Sequence, residues 1–478
     1  MAVPALDLAV LGAYVLVVTL VGMALGRSQR GLDDYVAGGR DRPWWLLLAS
    51  IVATETSTVT FLSIPGFAYE HNLTWLQLPL GYLIGRYVVA RVLAPRYLDG
   101  HWLTAYELLG RRFGPAPQRA AASLFIITRS LADGLRLFLT AIVLQEVAGI
   151  PLPHAVAALG LTTTAYTFLG GMRAVLWTDL FQLIVYNAGA LLAMVVLTDR
   201  LPGGLDQILA SAAASDKLQV FDYSLSLSEP YTLWAGLIGG AFLSLGSHGV
   251  DQMLVQRLLC ARSAKDAGRA VWWSGFGAFA QFALFLGVGL GLYAFYQQFP
   301  PSSAFDRPDR IFARFIVEEL PTGALGIVLG AVFSAAMSTL SSSLNSCAAS
   351  AIGDLWRPLR RPGATQAELL RAARIATLGF GLVQIGVGIA GQWLQASVVA
   401  AVLAIAGFTT GIVLGVFWVA LYAKEASSED AMFGLWTGLA VMTAVYLFSD
   451  LAWPWYGVVG SIVTACAALG STRWRSRG

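Results

Sequence analysis

Apolar segments follow one another almost from end to end of this chain, with only short polar connections between them, which leaves no room for a large soluble domain. They run over residues 6–25, 43–69, 73–98, 117–148, 153–169, 172–197, 230–256, 267–297, 322–354, 367–392, 395–422, 430–449 and 453–471, most of them long enough for the ~20 residues a helix needs to cross a bilayer. With 57% hydrophobic and 12% charged residues, a soluble globular protein is excluded. The expectation is an all-α integral membrane protein of about thirteen spanning helices. The first segment has no basic region before it and ends at Gly26-Arg27 without a small-residue cleavage pattern, so it reads as a retained helix. Cys260, Cys347 and Cys466 have no metal-like spacing and read as packing residues.

The net charge of +3 says less than its distribution, and nothing in it suggests a nucleic-acid surface. Arg27, Arg30, Arg40, Arg42, Arg96, Arg111, Arg112, Arg119, Arg257, Arg262, Lys265, Arg269, the run from Arg357 to Arg374, Arg473, Arg475 and Arg477 fall on one side. Only Arg200, Lys217, Arg307, Arg310 and Arg314 fall on the other. The bias predicts a multi-pass plasma or inner-membrane protein with its N-terminus outside and its C-terminus in the cytoplasm, which an odd helix count satisfies.

The stretch 333–355, FSAAMSTLSSSLNSCAASAIGDL, crosses the membrane with hydroxyls at its centre. Ala335, Ser338, Thr339 and Ser342 share one helix face, and Ser338, Ser341, Ser342 and Asn345 an adjoining one. Such a face either offers oxygen ligands to a hard monovalent cation or simply permits close helix packing. The second segment runs into Ala53-Thr54-Glu55-Thr56-Ser57-Thr58-Val59-Thr60, where a carboxylate and β-branched hydroxyl residues at mid-depth predict a break. A similar weak centre, Leu245-Gly246-Ser247-His248-Gly249 followed by Asp251, lies five segments later. Two interrupted helices at that interval suggest inverted repeats, 43–197 and 230–422, after a leading helix (6–25) and before two C-terminal ones (430–471), with a binding site where the breaks meet. Ordinary glycine kinks are the alternative.

The other intramembrane polar groups have competing explanations. Asp179 is either a cation ligand or a helix-start carboxylate. Asp133 neutralises Arg129 or Arg136, and Arg136 is placed either for that or to meet a substrate carboxylate. Glu55 ligates a solute amine or hydroxyl, or pairs with Arg136 or Arg86. His71, His101 and His154 lie near segment ends. Ser247-His248 is no hydrolytic pair, because sequence neighbours point to different helix faces, and G-x-S-x-G and H-E-x-x-H are absent, so no enzyme is expected.

Asp33-Asp34-Tyr35-Val36-Ala37-Gly38-Gly39-Arg40 with Pro43-Trp44-Trp45, Gly170-Gly171-Met172-Arg173-Ala174-Val175-Leu176-Trp177-Thr178-Asp179 with Gln182, Asp251-Gln252 with Gln256-Arg257, and Ser338 to Asn345 together resemble the sodium:solute symporter family. They occur in that family's order over nearly the whole chain. The resemblance implies a LeuT-like 5+5 inverted repeat and a main sodium site at Ala53, Thr56, Ala335, Ser338 and Thr339. It also implies a second sodium site, present in some members, at Asp179, Ser338, Ser341 and Ser342. The galactose-type solute positions correspond to Pro79, Ser244, Ala278 and Val398, which argues against a sugar read that way. The sialic-acid-type positions match Ser57, Thr60 and Arg136, which favours a carboxylate-bearing solute; Glu55 leaves room for a zwitterion. Candidate solute residues are therefore Glu55, Ser57, Thr60, Gln77, Arg136, Ser247, His248 and Asp251. The expected function is import of a small organic solute with one or two sodium ions by alternating access, by a monomer. Sugar, polyol or vitamin transport is the alternative, and a membrane sensor the alternative of another class.

Overall fold

In the computed structural model, residues 4–25, 31–100, 102–301, 303–305, 307–360, 363–394 and 398–476 are described. Arg27, Arg30, His101, Arg361 and Arg477 lie outside them, as does the side chain of Val398. Helices occupy every apolar segment read from the sequence, and among the described residues there is no β-strand beyond one isolated bridge between Arg42 and Ala261. By length and apolarity alone, eight of the described helices qualify as membrane spans, or nine if one bent pair is counted as a single span.

That bent pair is Trp44–Glu55 and Thr58–Glu70, which meet at 64°. Thr56 and Ser57 between them are extended (ψ 102° and 172°), so the helix stops where β-branched and hydroxyl residues crowd its mid-depth turn. The second interruption lies at Val250 and Asp251, between helices Gly240–Gly249 and Gln252–Leu259, just beyond the weak centre read from the sequence. Asp251 caps the second of these, its carboxylate accepting from the Met253 N–H at 2.9 Å. Helix Leu152–Arg200 joins two segments across a kink at Gly171, whose φ of 55° and ψ of −163° only glycine adopts readily.

Two small-residue pairs four apart, Gly81/Gly85 and Gly236/Gly240, bring helix Gln77–Val88 against the helix leading into the second break. A Cβ at Gly81 would lie 2.1 Å from the Gly236 carbonyl oxygen, so the two backbones touch. Helix Ala324–Ser350 runs through the middle of the bundle, with Ser334, Ser338, Ser341, Ser342, Ser343, Asn345 and Ser346 all inaccessible to solvent. A helix this polar inside a membrane protein must satisfy its hydroxyls against its neighbours, and that requirement positions the site.

Candidate sodium and solute site

The hydroxyl helix meets the first break directly. Ser338 Oγ donates to the Ala53 carbonyl at 3.1 Å and lies 3.2 Å from the Ala335 carbonyl. Thr339 Oγ1 lies 3.3 Å from the Thr54 carbonyl and 3.2 Å from the Ala335 carbonyl. Two hydroxyls and three carbonyls from two helices thus converge in a buried place; the Ala53 and Thr54 carbonyls are freed because their helix ends at Glu55 and its last carbonyls lose their i+4 donors. It is an all-oxygen, uncharged donor set of the kind a desolvated alkali ion takes. The carbonyl beside Thr339 belongs to Thr54. The side chain of Thr56, whose carbonyl is the one implied by resemblance, donates to Gln281 Oε1.

One layer toward the basic face sits a buried charge pair. Asp179 Oδ2 accepts from Ser50 Oγ at 2.5 Å, from Thr54 Oγ1 at 3.3 Å and from Arg257 Nη2 at 3.2 Å. Arg257 also donates to Thr54 Oγ1 at 2.7 Å, to Ser50 Oγ at 3.1 Å and to Ser342. Asp179 and Arg257 are both fully buried, which holds Asp179 within the bundle and away from a helix-start role. Its other oxygen, Oδ1, is buried with no hydrogen bond. Of the second implied set, Ser342 joins Asp179 through Arg257 and Thr54, while Ser341 Oγ bonds back to the Ser338 carbonyl of its own helix at 3.2 Å.

Two further ion-pair groups flank the breaks. Glu55 pairs with the fully buried Arg86, which also donates to Ser274 Oγ at 2.7 Å; His248 Nε2 stands 3.9 Å from Glu55 Oε2. Arg136 pairs with Asp133, whose other oxygen is 3.8 Å from Arg129 Nε, and Arg129 in turn pairs with Asp251. Asp133 therefore serves both arginines, and the chain Arg136–Asp133–Arg129–Asp251 links helix Pro115–Ala148 to the second break.

Ser57, Asp133, Arg136, Thr140 and Thr339 line a cavity of about 10 Å³ beside the hydroxyl cluster, room for about one water. Thr60 is half-buried two residues beyond Thr58. Gln77 is occupied elsewhere: its amide donates to the Thr74 and Tyr231 carbonyls at 3.0 and 2.7 Å and accepts from the Asp222 N–H, which ties down the long loop before the second broken helix. Contrary to the expectation that sequence neighbours face apart, Ser247 Oγ bonds to His248 Nδ1 at 2.9 Å, because both side chains lean into the same turn; Asp251 is held by Arg129. Sequence reasoning placed Arg257 with loop arginines and missed Ser50, Thr54 and Gln281. The signal was present in Asp179, because a buried carboxylate at mid-bundle demands a cation and Arg257 opens no loop of its own.

A bundle of broken helices with buried carbonyls and hydroxyls gathered at the break is the architecture of an ion-coupled membrane transporter. The family model for the sodium:solute symporter family matches residues 35–438. The chain belongs to that family, and it is a sodium-coupled symporter rather than an enzyme. It is 27% identical over 475 residues to the sodium/sialic acid symporter SiaT of Proteus mirabilis, covering 97% of this chain and 94% of that one. It is 28% identical over 435 residues to the sodium-coupled monocarboxylate transporter 1 of Xenopus laevis, covering 90% and 69%. A solved Na+-coupled sialic acid symporter, substrate-bound and outward-open, superposes with a TM-score of 0.88 at 26% identity over 98% of both chains. The architecture is the LeuT-type fold.

Proposed function

We propose that this symporter imports a small organic anion, recognised through its carboxylate by Arg136 with Ser57 and Thr60, and that sodium binds at Ala53, Thr56, Ala335, Ser338 and Thr339, with the Thr54 carbonyl beside Thr339. The observation that carries the reading is the convergence of the Ser338 and Thr339 hydroxyls on the carbonyls of the first break. An ion there ties the bent helix to helix Ala324–Ser350, so binding favours one arrangement of the two over the other and couples the ion to the adjoining solute cavity. Three features support an anion. Arg136 lines that cavity; Glu55 is already engaged by Arg86 and is no free partner for a solute amine; and the named relatives carry sialic acid or monocarboxylates. Asp133, within reach of Arg129, can yield Arg136 to an incoming carboxylate and keep a partner. Helices close on the cavity here, so the solute enters when they separate.

A second sodium beside Asp179, Ser338, Ser341 and Ser342 is favoured by one specific observation, the buried Asp179 Oδ1 that accepts no hydrogen bond. The reading further places two repeats, 43–197 and 230–422, around the site, with the chain acting as a monomer in the plasma or inner membrane and its basic face in the cytoplasm. The test is a thermal-shift screen of carboxylates, amino acids, sugars and vitamins on the purified protein in sodium and in potassium. Stabilisation by a carboxylate only in sodium is expected. Stabilisation by a neutral sugar instead would overturn the anion reading.

A further inference from the structure

Far from the central site, a groove of about 490 Å³ opens between the end of the third apolar segment and the start of helix Ala264–Gln298. Arg91, Lys265 and Arg269 line it, and no carboxylate does. Asp266, next to Lys265 in sequence, is buried and paired with Arg262. Arg91 reaches the groove from a π-helical turn, Val89–Leu93, and its guanidinium sits 5.6 Å from the Tyr87 ring centre. Beyond these cations the wall becomes aromatic: Tyr87 packs edge-on against Trp272 at 5.7 Å, and Trp272 against Phe276 at 5.4 Å. Tyr87, Trp273 and Phe276 present 50%, 50% and 42% of their surface to the outside.

The order of these groups along the helix is informative. Lys265 and Arg269 occupy the first two turns of helix Ala264–Gln298, and the aromatic residues follow a turn deeper. We propose that this groove binds an anionic phospholipid, its phosphate held by Arg91, Lys265 and Arg269 and its acyl chains lying over Tyr87, Trp272, Trp273 and Phe276. Three cations without a counter-acid at the polar end of two spanning helices match a lipid phosphate, and Trp and Tyr belong at that depth. A soluble phosphate would leave the aromatic wall without a purpose. The N-terminus of helix Ala264–Gln298 adds its positive dipole end to the same groove.

The test is lipid retention by the full chain in detergent, read by native mass spectrometry after incubation with phosphatidylglycerol or phosphatidylcholine. The wild type is expected to keep phosphatidylglycerol selectively. Arg91→Gln/Lys265→Gln/Arg269→Gln is expected to lose on the order of 100-fold in that retention while its sodium-dependent melting stays unchanged, since each cation near a lipid surface contributes about fivefold. Should the triple variant not fold, Lys265→Gln/Arg269→Gln is expected to lose roughly 10-fold or more. Equal retention of the two lipids, or retention unchanged in a folded variant, overturns the proposal. Displacement of phosphatidylglycerol by millimolar glycerol phosphate would overturn it too, because the groove would then be a site for soluble phosphate esters.

Discussion

Thr339 approaches two carbonyls from two helices, so truncating it to alanine removes a proposed ion ligand together with the neighbouring γ-methyl group. Thr339→Ala is expected to raise the sodium concentration for half-maximal uptake by about tenfold, the worth of one oxygen contact to a charged group. Unchanged sodium dependence in proteoliposome uptake would take Thr339 out of the site. Glu55 poses the opposite question, whether a carboxylate at the break serves solute or structure. Its pairing with the fully buried Arg86 predicts structure. Glu55→Gln strands a buried guanidinium and is expected to cost about 3–5 kcal/mol in denaturation, whereas Glu55→Leu/Arg86→Met should recover most of it. A double variant no more stable than the single would show that Glu55 does more than neutralise Arg86. The hydroxyl stripe itself was legible from residue spacing, since Ser338, Thr339, Ser341 and Ser342 declare a polar face whatever surrounds them. The partner of Asp179 was not. Arg257 lies next to Arg262 and Lys265 in sequence, and only the second break turns helix Gln252–Leu259 so that this one arginine points inward.

At the level of elements, helix positions followed from apolar length alone, and the first break from its run of Thr and Ser. What spacing could not reveal is which helices touch, because lipid-facing and protein-facing apolar residues look alike in sequence. Glycine pairs carry that information only once two of them are seen to face each other, as Gly81 and Gly236 do. A methyl group at Gly81 must displace the Gly236 carbonyl 2.1 Å away, so Gly81→Ala is expected to destabilise by about 1–3 kcal/mol. Gly386, on helix Gln366–Ala390, meets nothing within 4 Å, and Gly386→Ala is expected to stabilise by about 0.5–1 kcal/mol through helix propensity alone. Thermal melting of the two variants should move in opposite directions. Equal shifts would mean that backbone contact at Gly81 does not hold these helices together.

For the molecule as a whole, the number of ions decides how far a solute can be concentrated, and the charge of the solute makes that number measurable. A monoanion carried with one sodium moves no net charge, so membrane potential contributes nothing and a tenfold sodium gradient gives about 1.4 kcal/mol, a tenfold accumulation. With two sodium ions one net charge enters per solute. Two gradients plus ~100 mV then supply about 5.1 kcal/mol, roughly 5,000-fold. The unbonded Asp179 Oδ1 predicts the two-ion case. The buried Arg257 already neutralises much of Asp179, so the second ion, without the three carbonyls that surround the first, should bind more weakly. Wild-type uptake is therefore expected to carry inward current, with a reversal potential set by two sodium ions per solute. Asp179→Asn should become electroneutral while still requiring sodium. If the wild type is itself electroneutral with a monoanionic solute, the second site is lost and the Ser338–Thr339 site carries the coupling alone; if Asp179→Asn keeps the full current, the second ion binds elsewhere.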